Sequence, residues 1–187
     1  MKIPVLDNGG QWTHREYRVL RDLGVESRIV PNTTPLEELD ADGILLSGGA
    51  LSLEGADTPL GRVAEWIDRA PVPVLGICVG HQFLGRHFGG VVLAADPEFG
   101  RVDLTVDAPA HPLFDGLPAS LRVWASHNDQ VVRLPPGWQG LAHSPTCRFE
   151  AMAHPGRPIF GIQFHPEVEH TEHGREILER FVALCRR

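Results

Sequence analysis

The chain has 187 residues, 42% of them hydrophobic, and a formal net charge of −7 at pH 7. This length supports one domain with a full core and is short for two, so we expect a single domain over residues 1–187. A net negative charge without a Lys/Arg run argues against a nucleic-acid or anionic-membrane surface, and no apolar run reaches the roughly 18 residues that a membrane-spanning helix needs.

The first half of the chain alternates short apolar strands with amphipathic helices. The predicted strands are Ile3–Asp7, Val25–Val30, Gly43–Ser47 and a run that follows Pro73 and ends at Cys78. The predicted helices are Gln11–Leu23, one capped by Thr34 that reaches Leu39, one opened by Thr58-Pro59 with Leu60, Val63, Trp66 and Ile67 on one face, and Gly80–Phe88. This alternation predicts an α/β fold with a parallel sheet covered on both faces, whose ligands bind beyond the carboxyl ends of the strands.

The second half is β-rich, with Pro and Gly turns and little helical periodicity. The predicted strands are Val91–Ala94, Arg101–Val106, Leu121–Trp124, Val131–Leu134, Phe149–Ala153 and Ile159–Gln163. Thr171 is predicted to cap a last helix. The apolar face of that helix consists of Ile177, Leu178, Phe181, Leu184 and Cys185.

The cysteines indicate the compartment. Cys78, Cys147 and Cys185 are an odd number without framework spacing, and the N-terminus enters a strand directly instead of showing a signal sequence. We therefore expect a soluble protein of the reducing cytoplasm. Cys147 is predicted to be a strand residue and Cys185 a packing residue.

Cys78 is a candidate nucleophile because it lies where a strand becomes a helix. A side chain on such a turn is lifted clear of the sheet, and the crowded positions two residues before and after it are Gly76 and Gly80. The N–H groups at the start of the helix favour thiolate over thiol. The alternative is a buried structural cysteine beside two incidental glycines.

His165 and Glu167 are candidates for the base and for the residue that orients it. Residues two apart in an extended segment face the same way, so the carboxylate lies beside the imidazole, and Pro166 restricts the backbone between them. Together with Cys78 they can activate a thiol and protonate a leaving amine. The alternative is a histidine-proline turn followed by a solvated glutamate.

An acyl-transfer site also needs hydrogen-bond donors for an oxyanion. The N–H of Val79 is one candidate, and the Gly48-Gly49 backbone at the end of the neighbouring strand is the other. An ordinary strand-ending turn is the alternative for Gly48-Gly49.

These residues resemble those of the class I, triad-type glutamine amidotransferases. The motifs that carry the resemblance are Leu46–Gly49, Gly76–Gln82 and Gly161–Glu167. Within the family the chain looks most like the free-standing glutaminase subunits of two-subunit, archaeal-type GMP synthases. This narrower match rests on Asp7–Gln11, Ser126–Val131 and Val168–Gly174, and on a chain that stops after its last helix.

The resemblance implies a flavodoxin-like fold and one glutamine amidotransferase type-1 domain over residues 1–187. It implies that Cys78 attacks the carboxamide of glutamine, that His165 serves as base and acid, and that Glu167 orients His165. The oxyanion N–H groups would come from Gly49 and Val79. The substrate would be held by Gln82 and by the backbone around Ser126, His127 and Asn128.

The resemblance also implies a partner. Ammonia would pass to an ATP-pyrophosphatase subunit that uses ATP and Mg²⁺ to convert XMP to GMP, and this chain itself would bind no cofactor and no metal. The alternatives left open are the glutaminase of anthranilate or carbamoyl phosphate synthesis, a non-catalytic subunit that keeps the fold, and a free γ-glutamyl hydrolase.

One residue departs from the family pattern, and two other possible sites have weak support in the sequence. The family usually has proline after the paired glycines, and Ala50 here adds conformational freedom of about 0.4–1 kcal/mol to the oxyanion loop. A zinc site built from His165, His170 and His173 with nearby glutamates matches no closed ligand spacing. The four tryptophans, Trp12, Trp66, Trp124 and Trp138, are predicted to pack and not to form a ligand cage.

Overall fold

The computed structural model describes residues 1–54 and 59–186. The strands are β1 Val5–Asp7, β2 Ile29–Pro31, β3 Ile44–Leu46, β4 Val74–Ile77, β5 Val91–Val106, β6 Ser120–Arg133, β7 Gln139–His143, β8 Ala151–Ala153 and β9 Ile159–Ile162. The helices are α1 Thr13–Asp22, α2 Val63–Arg69, α3 Val79–His87 and α4 Gly174–Leu184, with a 3₁₀ helix at Leu36–Glu38. No helix among the described residues is long and apolar enough to cross a membrane.

The strands form one mixed sheet in the order β2-β1-β3-β4-β9-β8-β7-β5-β6. From β2 to β9 the neighbours are parallel, as the alternation of strands and helices predicts. Every residue of β3, β4 and β9 is buried, since hydrophobic clusters cover the sheet on both faces. The carboxyl ends of β1, β3, β4 and β9 therefore meet at one edge, with Cys78 directly after β4.

The β-rich half extends this sheet with antiparallel strands. Four short strands were predicted where the structure has two long ones, β5 and β6, which pair along most of their length. A register shift between Ala94 and Glu98 accommodates the Pro97 region, where the sequence pattern predicted a break. The predicted Phe149–Ala153 strand begins only at Ala151, and β7 was not predicted because its residues, Gln139–His143, show little apolar alternation.

Two predicted helix starts were wrong. Thr34 does not cap an α-helix, because Pro35 is extended and only the 3₁₀ turn Leu36–Glu38 follows. Thr171 does not cap α4. Its hydroxyl donates to the carbonyl of His165 and accepts from the N–H of Trp124, whereas α4 starts three residues later, after His173 in a left-handed conformation.

The other helix predictions can be compared with the structure where it is described. The predicted Thr58 start lies outside the described residues, but Leu60, Val63, Trp66 and Ile67 are all buried together. In α4, Ile177, Leu178 and Phe181 are buried, and Cys185 packs so closely on Gly43 that a Cβ there would lie 2.3 Å from the sulfur. Cys147 was predicted to be a strand residue, but it lies buried in the loop after β7.

Candidate active site

The turn at Cys78 has the geometry that the two glycines predict. Cys78 adopts φ 50° and ψ −104° between β4 and α3, a backbone conformation that is strained for a residue with a side chain. A Cβ on Gly76 would lie 2.5 Å from the carbonyl carbon of Gly80, and a Cβ on Gly80 would lie 2.6 Å from the carbonyl oxygen of Leu46. Glycine is therefore required at both positions for the helix to start so close to the sheet.

His165 follows β9 and lies beside this turn. Its Nδ1 is 2.7 Å from Oε1 of Glu167, and both side chains are almost fully buried. The Cys78 thiol lies within hydrogen-bonding reach of the same imidazole. The backbone of His165 is fixed on both sides, because its N–H donates to Trp124 O and its carbonyl accepts from the Thr171 hydroxyl. The structure thus brings the three residues of the predicted triad together.

The charges of the neighbours decide the protonation state of His165. Burial lowers the pKa of the imidazole, but the carboxylate of Glu167 and the hydrogen bond with Cys78 outweigh it and raise the pKa of His165 to about 10. At neutral pH the imidazole is therefore protonated. The imidazolium and the N-terminus of α3 therefore place positive charge beside the sulfur of the candidate nucleophile.

The thiol opens into a cleft of about 400 Å³. Its walls include the loop after β1, the loop after β3, the start of α3 and the middle of β6. The residues that the sequence singled out and that line it are Gly48, Gly49, Cys78, Val79, Gln82, Ser126, His127, Asn128 and His165.

The loop after β3 is held by backbone packing and by polar contacts. Asn8 N donates to Ser47 Oγ at 2.9 Å, and that hydroxyl donates to the carbonyl oxygen of Gly48 at 2.9 Å. A Cβ on Gly49 would lie 2.5 Å from Asn8 O, so the close approach of the two loops needs glycine. Val79 is the first residue of α3, where a backbone N–H has no acceptor within the helix and can bind another group. Both predicted oxyanion donors thus lie on the cleft wall with Cys78.

The predicted substrate residues differ in what their side chains do. Gln82 is buried, and its Nε2 donates to Asp129 O at 2.6 Å and to Gln163 Oε1 at 3.2 Å, so its amide nitrogen ties α3 to β6. The ring of His127 turns into the protein, where its Nε2 lies 2.9 Å from Oε2 of Glu98. Ser126 presents its carbonyl oxygen 3.9 Å from the sulfur of Cys78.

Three polar or aromatic groups of the site were missed from the sequence. Trp12 lines the cleft, and its ring centroid lies 4.4 Å from that of His165 at 74°. Glu16, one turn later in α1, lines the cleft with a buried carboxyl group. Asp129 accepts from Ser52 Oγ and Leu53 N and so holds the segment after Ala50. The only signal for the first two was their spacing of four residues on a helix that begins at the strand edge.

The histidines considered for zinc have other partners. His165 pairs with Glu167, His173 pairs with Glu176 at 3.2 Å, and His170 lies against the ring of Trp124. A different buried trio, Glu98, His127 and Glu150, brings one potential ligand atom from each residue within 4.8 Å of the others. Glu98 in this trio already accepts hydrogen bonds from Ser144 and Thr146 as well as contacting His127.

Comparison with known proteins finds similarity over nearly the whole chain. The family model of glutamine amidotransferase class-I matches residues 4–185. A protein of Thermoplasma acidophilum, named as one subunit of a glutamine-hydrolyzing GMP synthase, is 49% identical, with 99% of this chain and 93% of the relative covered. The protein of the same name from Thermococcus kodakarensis is also 49% identical, with 98% of both chains covered.

A solved structure extends the agreement to the fold. The crystal structure of a Thermoplasma acidophilum protein assigned to the same GMP synthase subunit has a TM-score of 0.91 at 48% identity, and the match covers 100% of this chain and 94% of that one. A glutamine amidotransferase from Thermotoga maritima, 20% identical, has a TM-score of 0.73 over 98% of this chain and 81% of its own and shares the fold. With the family model matched over nearly its whole length, this flavodoxin-like chain belongs to the class I glutamine amidotransferases.

Proposed function

We propose that this chain is the glutamine amidotransferase subunit of a GMP synthase. It would hydrolyse glutamine to glutamate and ammonia and supply the ammonia to a separate ATP-dependent subunit that converts XMP to GMP. The observation that carries the proposal is the buried Cys78, His165 and Glu167 constellation in a cleft of a chain that is 49% identical to proteins named as subunits of glutamine-hydrolyzing GMP synthases.

The chemistry follows from the charges in the cleft. The Cys78 thiolate would attack the carboxamide carbon, and the N–H groups of Gly49 and Val79 would stabilise the oxyanion that forms. His165 would give its proton to the leaving nitrogen, so that the C–N bond breaks and ammonia departs. The imidazole would then take a proton from water as water attacks the thioester, and the C–S bond would break to release glutamate and restore the thiolate and the imidazolium.

Glu167 would orient the imidazole of His165 and stabilise its positive charge. Because its carboxylate accepts the Nδ1 proton at 2.7 Å, the other ring nitrogen is left to face the sulfur and the leaving group. Gln82 and the backbone of Ser126, His127 and Asn128 would form the wall that holds glutamine. In this role the Gln82 side chain supports the wall, since its amide nitrogen is bonded to Asp129 O and Gln163 Oε1.

The proposal assigns no cofactor or metal to this chain and places ATP and Mg²⁺ in the partner. It also includes a cytoplasmic location, which the three free thiols at Cys78, Cys147 and Cys185 support. Ala50 and the neighbouring Leu51, whose side chain is 42% exposed, lie on the rim of the cleft. We therefore expect the isolated chain to be slow and the partner to accelerate it by ordering this rim.

The first experiment measures glutamate release from glutamine by the purified chain, alone and with the synthetase subunit. Cys78→Ala should abolish release in both cases, and the partner should raise the rate of the unchanged chain. Cys185→Ala is the matched control, because that cysteine packs on Gly43 at the amino end of β3, whereas the cleft lies beyond the carboxyl end of this strand. Full turnover by Cys78→Ala would disprove the mechanism.

The second experiment identifies the pathway. The synthetase subunit should form GMP from XMP with ammonia in the absence of this chain, and from glutamine only in its presence. Transfer to a synthetase of anthranilate or carbamoyl phosphate formation instead, with none to XMP, would contradict the proposal.

A further inference from the structure

Glu16 is a buried carboxyl group in the cleft that the mechanism above does not use. It lies on the first turn of α1, one turn beyond Trp12, and is 1% exposed. Its Oε1 accepts the N–H of Gly48 at 3.3 Å, and its Oε2 is buried and has no hydrogen-bond partner among the described residues. An isolated buried carboxyl group is costly, so its presence beside a reacting thiol calls for a role.

The surroundings of Glu16 favour the neutral form of its carboxyl group. Burial raises the pKa of this carboxyl group well above its ordinary value, and the charge of Glu167 raises it further. The hydrogen bond from Gly48 and the charge of His165 oppose this rise without overcoming it, and Asp7 adds to the rise. A protonated carboxyl group still accepts one N–H through its carbonyl oxygen, and the side chain of glutamine has nearly the same shape.

Glu16 contacts Gly48, the residue that precedes the proposed oxyanion donor Gly49. The carbonyl oxygen of Gly48 is held by the Ser47 hydroxyl, and the N–H of Gly48 is held by Glu16. The Gly48 carbonyl and the Gly49 N–H share one planar, trans peptide, so the hold on that carbonyl sets the direction of the Gly49 N–H. The Gly48 N–H belongs to the preceding peptide, and the hold by Glu16 anchors the residue about which the Gly48–Gly49 peptide can turn. The backbone of Gly48 lies against the reacting groups: a Cβ there would meet His165 Cε1 at 3.2 Å and Cys78 Cβ at 3.6 Å.

We propose that Glu16 is a positioning residue for glutamine hydrolysis, whose carboxyl group holds the N–H of Gly48 and so aims the Gly49 N–H at the oxyanion. This proposal rests on the proposed function, since it assigns a part in that reaction. It matters more in this chain because Ala50 leaves the loop without the ring of a proline at that position.

The test compares two substitutions at one position. Glu16→Met keeps the size and removes the acceptor, whereas Glu16→Gln keeps both size and acceptor. A misaimed oxyanion donor acts on the transition state more than on bound substrate, so Glu16→Met should lower kcat about tenfold to a hundredfold with little change in KM. Glu16→Gln should recover most of that rate.

Two further measurements distinguish a positioning role of Glu16 from a loss of folding or of the nucleophile. Circular dichroism and the thermal unfolding midpoint report whether Glu16→Met folds. The alkylation rate of Cys78 by iodoacetamide reports whether the nucleophile is intact, and it should match that of the unchanged chain, because alkylation forms no oxyanion.

The outcomes distinguish this proposal from the proposed function. Loss of kcat in Glu16→Met, recovery in Glu16→Gln and equal alkylation rates support the positioning role. A wild-type kcat in Glu16→Met, equal losses in both variants, or a matching loss of Cys78 alkylation would overturn it. If the unchanged chain releases no glutamate even with the synthetase subunit, the proposed function itself fails instead.

Discussion

Replacing Glu167 by glutamine probes the electrostatic arrangement of the candidate triad. The substitution keeps the shape of the side chain beside His165 and removes the charge that accepts the Nδ1 proton at 2.7 Å. The imidazole is 5% exposed and the carboxylate fully buried, so solvent screens their interaction little. The change is therefore electrostatic, with small differences in packing.

The magnitude follows from the protonation of His165. Raising the pKa of this residue from 6.5 to about 10 corresponds to about 5 kcal/mol in favour of the imidazolium, net of the opposing effect of burial. Glu167 is the largest of the contributions that raise it, with Cys78 next. In Glu167→Gln the pKa of His165 should fall from about 10 toward its ordinary value, and kcat should fall by about a hundredfold to ten-thousandfold.

The assay is the pH dependence of glutamate release. In the unchanged protein the alkaline limb of kcat/KM should lie near pH 10, where the imidazolium loses its proton, and in Glu167→Gln it should move to lower pH. Glu176→Gln is the control, because that carboxylate is exposed on α4. An alkaline limb that stays in place, with a rate within about tenfold of the original, would show that Glu167 does not set the charge of His165.

Two further predictions concern stability. Gly80→Ala should lower the free energy of unfolding, measured in urea, by about 1–3 kcal/mol or more, because the new Cβ would lie 2.6 Å from the backbone oxygen of Leu46. Gly156→Ala is the control. A Cβ there would have no atom within 4 Å, so the free energy of unfolding should change by less than about 0.5 kcal/mol. The raised pKa of His165 should stabilise the fold fully below about pH 6.5 and lose that effect as pH rises through about 10. Chemical unfolding between pH 6 and 11 measures this loss, and a stability that does not decline over that range would count against a protonated His165.

The strand-to-helix turn at Cys78 and the triad could be predicted from the sequence because their geometry is largely local. Gly76 and Gly80 lie two residues from Cys78, and the structure shows backbone in the space where side chains would stand. His165 and Glu167 are likewise two residues apart, and their hydrogen bond forms within one short segment. The distance between Cys78 and His165 along the chain is long, but the buried strands β4 and β9 that carry them are parallel neighbours in the sheet.

The remaining parts of the site depend on contacts that no local pattern reveals. Trp12 was predicted to be a packing residue, and only the arrangement of α1 against the sheet edge places it on His165. His127 was predicted to lie at the substrate wall. Its backbone does line the cleft, whereas its ring is paired with Glu98, because β5 and β6 form one long ladder in which these two residues are opposite each other. That ladder was predicted as four separate strands.

The nucleophile can be identified by covalent labelling with a glutamine analogue that carries an electrophilic chloroketone, followed by peptide mass spectrometry. We expect one adduct, on Cys78, and glutamine should slow its formation. Cys147 and Cys185 should stay unlabelled, because burial raises the pKa of both thiols, that of Cys185 to about 12. Glutamate release that continues after Cys78 is fully modified, or an adduct on either of the other cysteines that abolishes release, would contradict the assignment of Cys78 as the nucleophile.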